Sequence, residues 1–144
     1  MPPVRVLFLC TGNRVRSQLA EGWGRALAPP GVEVWSAGSK PNPLGIHPTA
    51  IEVMRECGVD ISGQRTKHID ELPGEADYII TLCAEADAEC PTLPARRERL
   101  AWHLPDPDKA GTDPETVRAF FRDIRDEIER RVREFYTSPR FGRA

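Results

Sequence analysis

An almost unbroken apolar run at residues 4–9, closed by Cys10-Thr11-Gly12-Asn13-Arg14-Val15-Arg16-Ser17, constrains this chain more than any other stretch. Val4, Val6, Leu7, Phe8 and Leu9 read as a buried strand, rich in Val and Phe and with little polar interruption. A cysteine stands where that strand ends, Gly12 follows in a short polar loop, and a helical pattern begins near Arg16-Ser17. Cysteine, five residues, then Arg-Ser is a spacing that wraps a loop around a tetrahedral oxyanion. Successive backbone N–H groups from Thr11, Gly12, Asn13, Arg14, Val15, Arg16 and Ser17 point inward. The helix N-terminus adds positive potential, and Arg16 can fork onto two oxygens. The same field favours a thiolate, so Cys10 is expected to be a nucleophile. A lone cysteine at a strand end would be an ordinary buried residue. The order of strand, cysteine, glycine and arginine is what favours chemistry.

The rest of the chain alternates. Leu19, Trp23, Ala26 and Leu27 recur at helical spacing, and Pro29-Pro30-Gly31 ends that helix. Val32-Glu33-Val34-Trp35-Ser36 alternates as a second strand, and residues 37–43 form a loop. Pro48 fits a first helical position, with Ala50, Ile51, Val53 and Met54 behind it and Gly58 as the stop. Residues 60–68 are polar and irregular, leading to a helical turn at Ile69 and Leu72. Residues 78–82 and 99–103 read as the third and fourth strands. Thr112 or Asp113 caps the last helix, with Glu115 as the capping-box partner of Thr112. In that helix Val117, Phe120, Phe121, Ile124, Ile128, Val132 and Phe135 make one apolar stripe, which is core. Strand and helix in turn predict an α/β fold: an open parallel sheet of about four strands with helices on both faces. The 144 residues suffice for one domain, 1–144, with about 138–144 expected to fray.

Charge and cysteine usage narrow the class. With 20 Lys and Arg against 22 Asp and Glu, no global basic field points to nucleic acid. No run reaches membrane-spanning length and no signal-peptide pattern opens the chain, so a soluble, cytoplasmic protein is expected. The cysteines are Cys10, Cys57, Cys83 and Cys90, with no Cys-x-x-Cys pair and only His47, His68 and His103 as histidines. Structural zinc is therefore not expected, and neither a metal nor a cofactor is implied. Cys57, before Gly58, reads as a small core residue, and the three histidines as turn or surface residues.

In a parallel sheet, sites form beyond the carboxyl ends of the strands. Cys10 follows strand one, Cys83 strand three, and Asp106 comes shortly after strand four. Asp106 stands between Pro105 and Pro107, which stiffens its loop, and near a leaving oxygen it would act as general acid. By itself Pro-Asp-Pro is also ordinary turn chemistry. Residues 83–90 are rich in Ala and Glu and favour helix. Cys83 and Cys90 would then lie about 10 Å apart along the axis, whereas a disulfide needs Cα atoms within roughly 4.4–6.8 Å. A bond between them would require the segment to unwind, and would be a switch rather than a staple. Two unrelated thiols remain the alternative. Ser17 can donate to the Cys10 thiolate or cap the helix, Asn13 can shape the loop, and Glu21 and Ser36 can orient it or hold a cation.

These motifs resemble the thioredoxin-coupled arsenate reductases, which share the low-molecular-weight tyrosine phosphatase fold. The matching residues are Cys10-Thr11-Gly12-Asn13, Arg16-Ser17-Gln18, Ala20-Glu21-Gly22-Trp23-Gly24, Ser36-Ala37-Gly38, Thr81-Leu82-Cys83, Asp87, Cys90-Pro91 and Asp106-Pro107. The resemblance implies that Cys10 attacks arsenate held by Arg16 and the loop amides while Asp106 protonates the departing oxygen. Cys83 then attacks the arsenylated Cys10 and arsenite leaves. Cys90 attacks Cys83, and thioredoxin reduces the resulting disulfide. Arg14-Val15 stands where several such reductases have Ser-Cys. Some members hold potassium at positions matching Asn13, Glu21 and Ser36. Their fourth ligand, an aspartate, has no clear match in Gln64-Arg65-Thr66-Lys67, where a basic side chain is expected to replace the ion.

The main alternative is a low-molecular-weight protein tyrosine phosphatase, hydrolysing phosphate monoesters through a phosphocysteine on Cys10. It would use Arg16 and Asp106 alike but would not need Cys83 or Cys90. The resemblance places a tyrosine after the Asp-Pro pair in such phosphatases; here that residue is Asp108, and residues 41–48 hold no aromatic side chain. A thiol-based sensor or anion-binding module would have no use for Asp106 as an acid. The sequence thus favours arsenate reduction for arsenic detoxification, with weak phosphatase activity on the side.

Overall fold

The computed structural model describes residues 2–83 and 93–142. Among these, four strands form one parallel sheet in the order β2-β1-β3-β4: β1 is Val4–Cys10, β2 Val32–Gly38, β3 Tyr78–Thr81 and β4 Glu98–Ala101. Strand β1 lies inside the sheet and its side chains alternate between two cores. Val6 and Phe8 enter the larger one, and Leu7 and Leu9 the smaller. That two-sided burial is why the run is apolar at nearly every position. The helices are α1 (Arg16–Ala26), α2 (Pro48–Arg55) and α3 (Pro114–Tyr136). Leu19 and Trp23 of α1, Val53 and Met54 of α2, and the stripe of α3 close the larger core. A 3-10 turn at Ile69–Glu71 brings Ile69 and Leu72 onto the smaller core. The expected open parallel sheet of four strands is thus what the chain forms; among the described residues the three α-helices lie on the larger-core face, and the 3-10 turn lies on the other, where helices were also expected.

Gly24 shows how close α1 lies to the sheet. A Cβ there would come within 2.8 Å of the Phe8 ring, so the helix can sit on β1 only without one. Tyr136 of α3 completes the contact by donating its hydroxyl to the Gly24 carbonyl at 2.7 Å.

Several local expectations change. Cys57 is exposed rather than core. The buried face of α2 is Ala50, Val53 and Met54, but the helix stops at Arg55, so Cys57 lies in the turn before Gly58 (φ 78°) and never returns to that face. The cap of α3 is Asp113, which accepts from Thr116 N at 3.0 Å. With Pro114 opening the helix, the position a capping box would use is Thr116, so the expected Thr112–Glu115 pair does not form and Glu115 bonds Arg118 instead. Strand β4 ends at Ala101, short of the expected 103; Trp102 still enters the larger core on the side of Leu100, against Phe8 and Phe135, and still bonds Thr81 O. Residues 107–110 form a 3-10 turn (Pro107–Ala110) instead of an open loop. The segment expected to fray forms a 3-10 turn at Pro139–Phe141, and Phe141 packs on Tyr78, Phe135 and Tyr136. The helix expected at 84–90, including Cys90, lies outside the described residues.

His47 is more than a turn residue. Its Nδ1 accepts from Thr49 N at 3.0 Å, capping α2, and its ring lies 4.8 Å from that of Phe121. Burial, and then the charge of Arg14, hold its pKa below the ordinary 6.5, with Asp108 opposing. The unfolded chain therefore takes up this proton first as pH falls, and stability is expected to drop as pH passes below 6.5 toward the folded value. Protonation also removes the cap's acceptor. Thermal midpoints at pH 7.5 and 5.5 should differ less in His47→Asn, which keeps a capping oxygen without titrating, than in the parent chain. Equal differences in the two proteins would show that the cap does not respond to pH.

Candidate active site

Residues 11–15 link the end of β1 to the start of α1, and Asn13 adopts the left-handed conformation (φ 50°) that lets the loop close on itself. A second segment pins the loop from outside. Lys40 N donates to Thr11 O at 2.9 Å, Asn42 N to Gly12 O at 2.9 Å and His47 N to Arg14 O at 3.2 Å. Because a trans peptide points its C=O and N–H in opposite directions, these bonds turn the N–H groups of Gly12, Asn13 and Val15 the other way, toward the cleft. Val15, preceding α1, makes no side-chain cap, so the first N–H groups of the helix keep their positive potential for a ligand. The loop can reach this position because Gly38, at the end of β2, lies beneath it. A Cβ there would be 2.4 Å from Thr11 O and 2.9 Å from Cys10 O.

The result is a cleft of about 340 Å³, with loop residues from Cys10 to Arg16 on one side, Asp106 to Asp108 on the other and Asn42 at the rim. Cys10 is 2% and Arg16 8% exposed. Arg16 Nη1 donates to Leu104 O at 3.4 Å, tying the arginine to the chain that leads into Asp106. Asp106 Oδ1 accepts from Asp108 N at 2.9 Å, which orients the carboxyl at the start of its 3-10 turn. Among the described residues lining the cleft none is aromatic.

A buried polar network stands behind the loop, and its directions can be deduced. Lys67 N can only donate, and it reaches Asn13 Oδ1 at 2.9 Å, so the other end of that amide is Nδ2. Nδ2 donates to Ser17 Oγ at 2.7 Å and to Ser36 Oγ at 3.1 Å. Ser36 passes its own hydrogen to Glu21 Oε1 at 2.5 Å. Ser17 Oγ lies 2.9 Å from Cys10 Sγ, where its hydrogen is free to serve a thiolate. Gln18 extends the support, donating to Asn13 O at 2.9 Å and Arg65 O at 3.0 Å, and accepting from Gln64 at 2.8 Å. Among the options left by the sequence, Ser17 therefore faces the cysteine sulfur and does not cap α1.

Glu21, 1% exposed, is balanced by two cations: Arg25 at 2.8 Å from one oxygen and Lys67 Nζ at 3.5 Å from the other. Burial pulls the Lys67 pKa below its ordinary value, with Glu21 pulling the other way. A potassium ion would have to share Glu21 with an ammonium already on that oxygen. The residues present do not fit the ion. Catalytic turnover is accordingly expected to be the same within about twofold when potassium chloride is replaced by choline chloride at constant ionic strength. A clear rise with potassium alone would show that Lys67 leaves the site.

Cys10, Thr11, Gly12, Arg14, Val15, Arg16 and Asp106 thus meet at one cleft, while the side chains of Asn13 and Ser17 work from behind it. Cys83 is 3% exposed and disulfide-bonded, whereas Cys10 and Cys57 are free thiols. The Cys83 sulfur lies 4.0 Å from Thr11 Oγ1, beside the residue that follows Cys10. Cys90 is outside the described residues. Sequence reasoning missed the roles of Gln18, Gln64 and Gly38. Gln18 and Gly38 fall within the motifs that carry the resemblance, but no spacing marks these roles, since Gln18 reaches Arg65, Gln64 reaches Gln18 and Gly38 seats Thr11.

A family model described as low molecular weight phosphotyrosine protein phosphatase matches residues 5–140. The chain belongs to this family. Within it, the chain is 46% identical over 132 residues to the arsenate reductase of Halalkalibacterium halodurans, spanning 90% of this chain and 93% of the relative. A solved arsenate reductase in the phosphate-binding state superposes with a TM-score of 0.74 at 33% identity, over 92% of this chain and 95% of that one. The thioredoxin-dependent arsenate reductase of Corynebacterium glutamicum superposes with a TM-score of 0.72 at 33% identity, over 99% of this chain and 64% of that one.

Proposed function

We propose that this chain is a thioredoxin-dependent arsenate reductase working through three cysteines. The Cys10 thiolate, stabilised by the Ser17 hydroxyl, attacks arsenic while Arg16 and the loop N–H groups hold the oxygens. One oxygen leaves as water, with its proton supplied by Asp106. The Cys83 thiolate then attacks Cys10 Sγ. A sulfur–sulfur bond forms, the sulfur–arsenic bond breaks, and its electron pair stays on arsenic, which falls from As(V) to As(III) and departs as arsenite. Cys90 displaces Cys10 from Cys83, and the two thiols of thioredoxin reduce the Cys83–Cys90 disulfide, which returns both cysteines to thiols. A cytoplasmic setting suits this cycle, because thioredoxin keeps thiols reduced there. Among the described residues no helix is long and apolar enough to cross a membrane.

The observation that supports the reading is Cys83, buried and disulfide-bonded, with its sulfur 4.0 Å from the hydroxyl of Thr11, the residue that follows Cys10. A phosphatase cycle, in which water frees Cys10, has no use for it. The cleft without aromatic walls suits a bare oxyanion better than phosphotyrosine, with slow aryl-phosphate hydrolysis as a side reaction. The test is arsenate-dependent NADPH oxidation with thioredoxin and thioredoxin reductase. Turnover that appears only when both proteins are present is expected. Arsenate-independent oxidation alone, or none, would sink the proposal.

A further inference from the structure

His103 reaches the point where β3 gives way to Cys83. Its Nδ1 lies 3.3 Å from the backbone carbonyl oxygen of Cys83. A carbonyl only accepts, so Nδ1 carries the hydrogen in this contact. The chain on either side of His103 is tied to the reaction from two directions. Trp102 N donates to Thr81 O at 2.8 Å, holding it to β3, and Leu104 O accepts from Arg16 at 3.4 Å, holding it to the oxyanion loop. Asp106 follows at the edge of the cleft. The side chain of His103 therefore joins the stretch that carries the acid to the backbone of the second cysteine, whose sulfur stands 4.0 Å from Thr11 Oγ1.

We propose that His103 is a positioning residue for the second chemical step, holding the Cys83 backbone so that its sulfur meets Cys10 Sγ. This role rests on the reductase reading of the site. In that step the Cys10–Cys83 bond forms and arsenic keeps the electron pair of the broken sulfur–arsenic bond. His103 exchanges no proton or electron. It acts by confining the nucleophile, and confinement is worth most when two groups must meet in one narrow geometry. His103 is exposed, so its substitution leaves both cores intact.

The test compares the reduced full-length parent with His103→Ala, His103→Asn and His103→Asp. Two quantities are read: arsenite released after one equivalent of arsenate, and hydrolysis of p-nitrophenyl phosphate. His103→Ala is expected to slow arsenite release about tenfold while aryl-phosphate hydrolysis, which bypasses Cys83, holds within about twofold. The asparagine Nδ2 stands where the imidazole Nδ1 does, so His103→Asn should recover release to within about twofold of the parent. His103→Asp sets an oxygen against the carbonyl and should fall to the alanine level or below. Unchanged release in His103→Ala, equal loss in all three variants, or a parallel loss of aryl-phosphate hydrolysis would each overturn the role. If the parent itself releases no arsenite, the reductase reading falls and this role with it.

Discussion

Cys83→Ser is expected to abolish arsenite formation while p-nitrophenyl phosphate hydrolysis stays within about threefold of the parent. The substitution is nearly isosteric, at a site 3% exposed, so the fold should tolerate it. What it removes is the only step that can reduce arsenic: a serine oxygen does not take the place of a sulfur that must end in a disulfide. Cys10, Arg16 and Asp106 remain, and phosphocysteine formation and hydrolysis need nothing further. Cys90→Ser separates the two halves of the relay. It should yield about one arsenite per molecule and then stop, with Cys10 locked to Cys83. Arsenite measured against enzyme concentration, with thiols counted before and after, reads both outcomes. Continued turnover in either variant would break the three-cysteine order.

Asp106→Asn should lower kcat/KM for arsenate by about 10²- to 10⁴-fold, the usual range for a lost general acid. The exchange isolates the proton. An asparagine oxygen can still accept from Asp108 N, as Asp106 Oδ1 does at 2.9 Å, so the 3-10 turn and the rim of the cleft persist. With aryl phosphates the loss should grow as the leaving phenol becomes a poorer acid, because a good leaving group departs without help. A loss that ignores the leaving group would mean that Asp106 shapes the rim without donating a proton. No loss would remove it from the chemistry.

Much of the architecture is legible because it rests on periodicity. A run buried on both faces at 4–9, the stripe of α3 and the strand-helix alternation reflect which side chains water must lose, and that pattern is written locally. The site was half legible. Cys10, Arg16 and the loop between them lie within a few residues, so their spacing alone implies how backbone N–H groups, helix terminus and guanidinium converge. The local errors share a cause. Cys57 and the Thr112–Glu115 box were misplaced because helix ends shifted by one or two residues, which periodicity does not determine.

The Cys10 loop and its oxyanion chemistry are therefore set by the sequence itself, through contacts a few bonds apart. Only the tertiary structure decides what surrounds that loop. It brings Gly38 from the end of β2 and Lys67 from a remote loop to the Cys10 loop, gives the amide of Asn13 its direction through Lys67 N, and selects Lys67 as the basic side chain expected beside Glu21. It also puts Cys83 beside Thr11 and His103 on the Cys83 carbonyl. Those contacts join residues far apart in the chain and depend on where whole strands end. Sheet order and core packing, not local spacing, determine that.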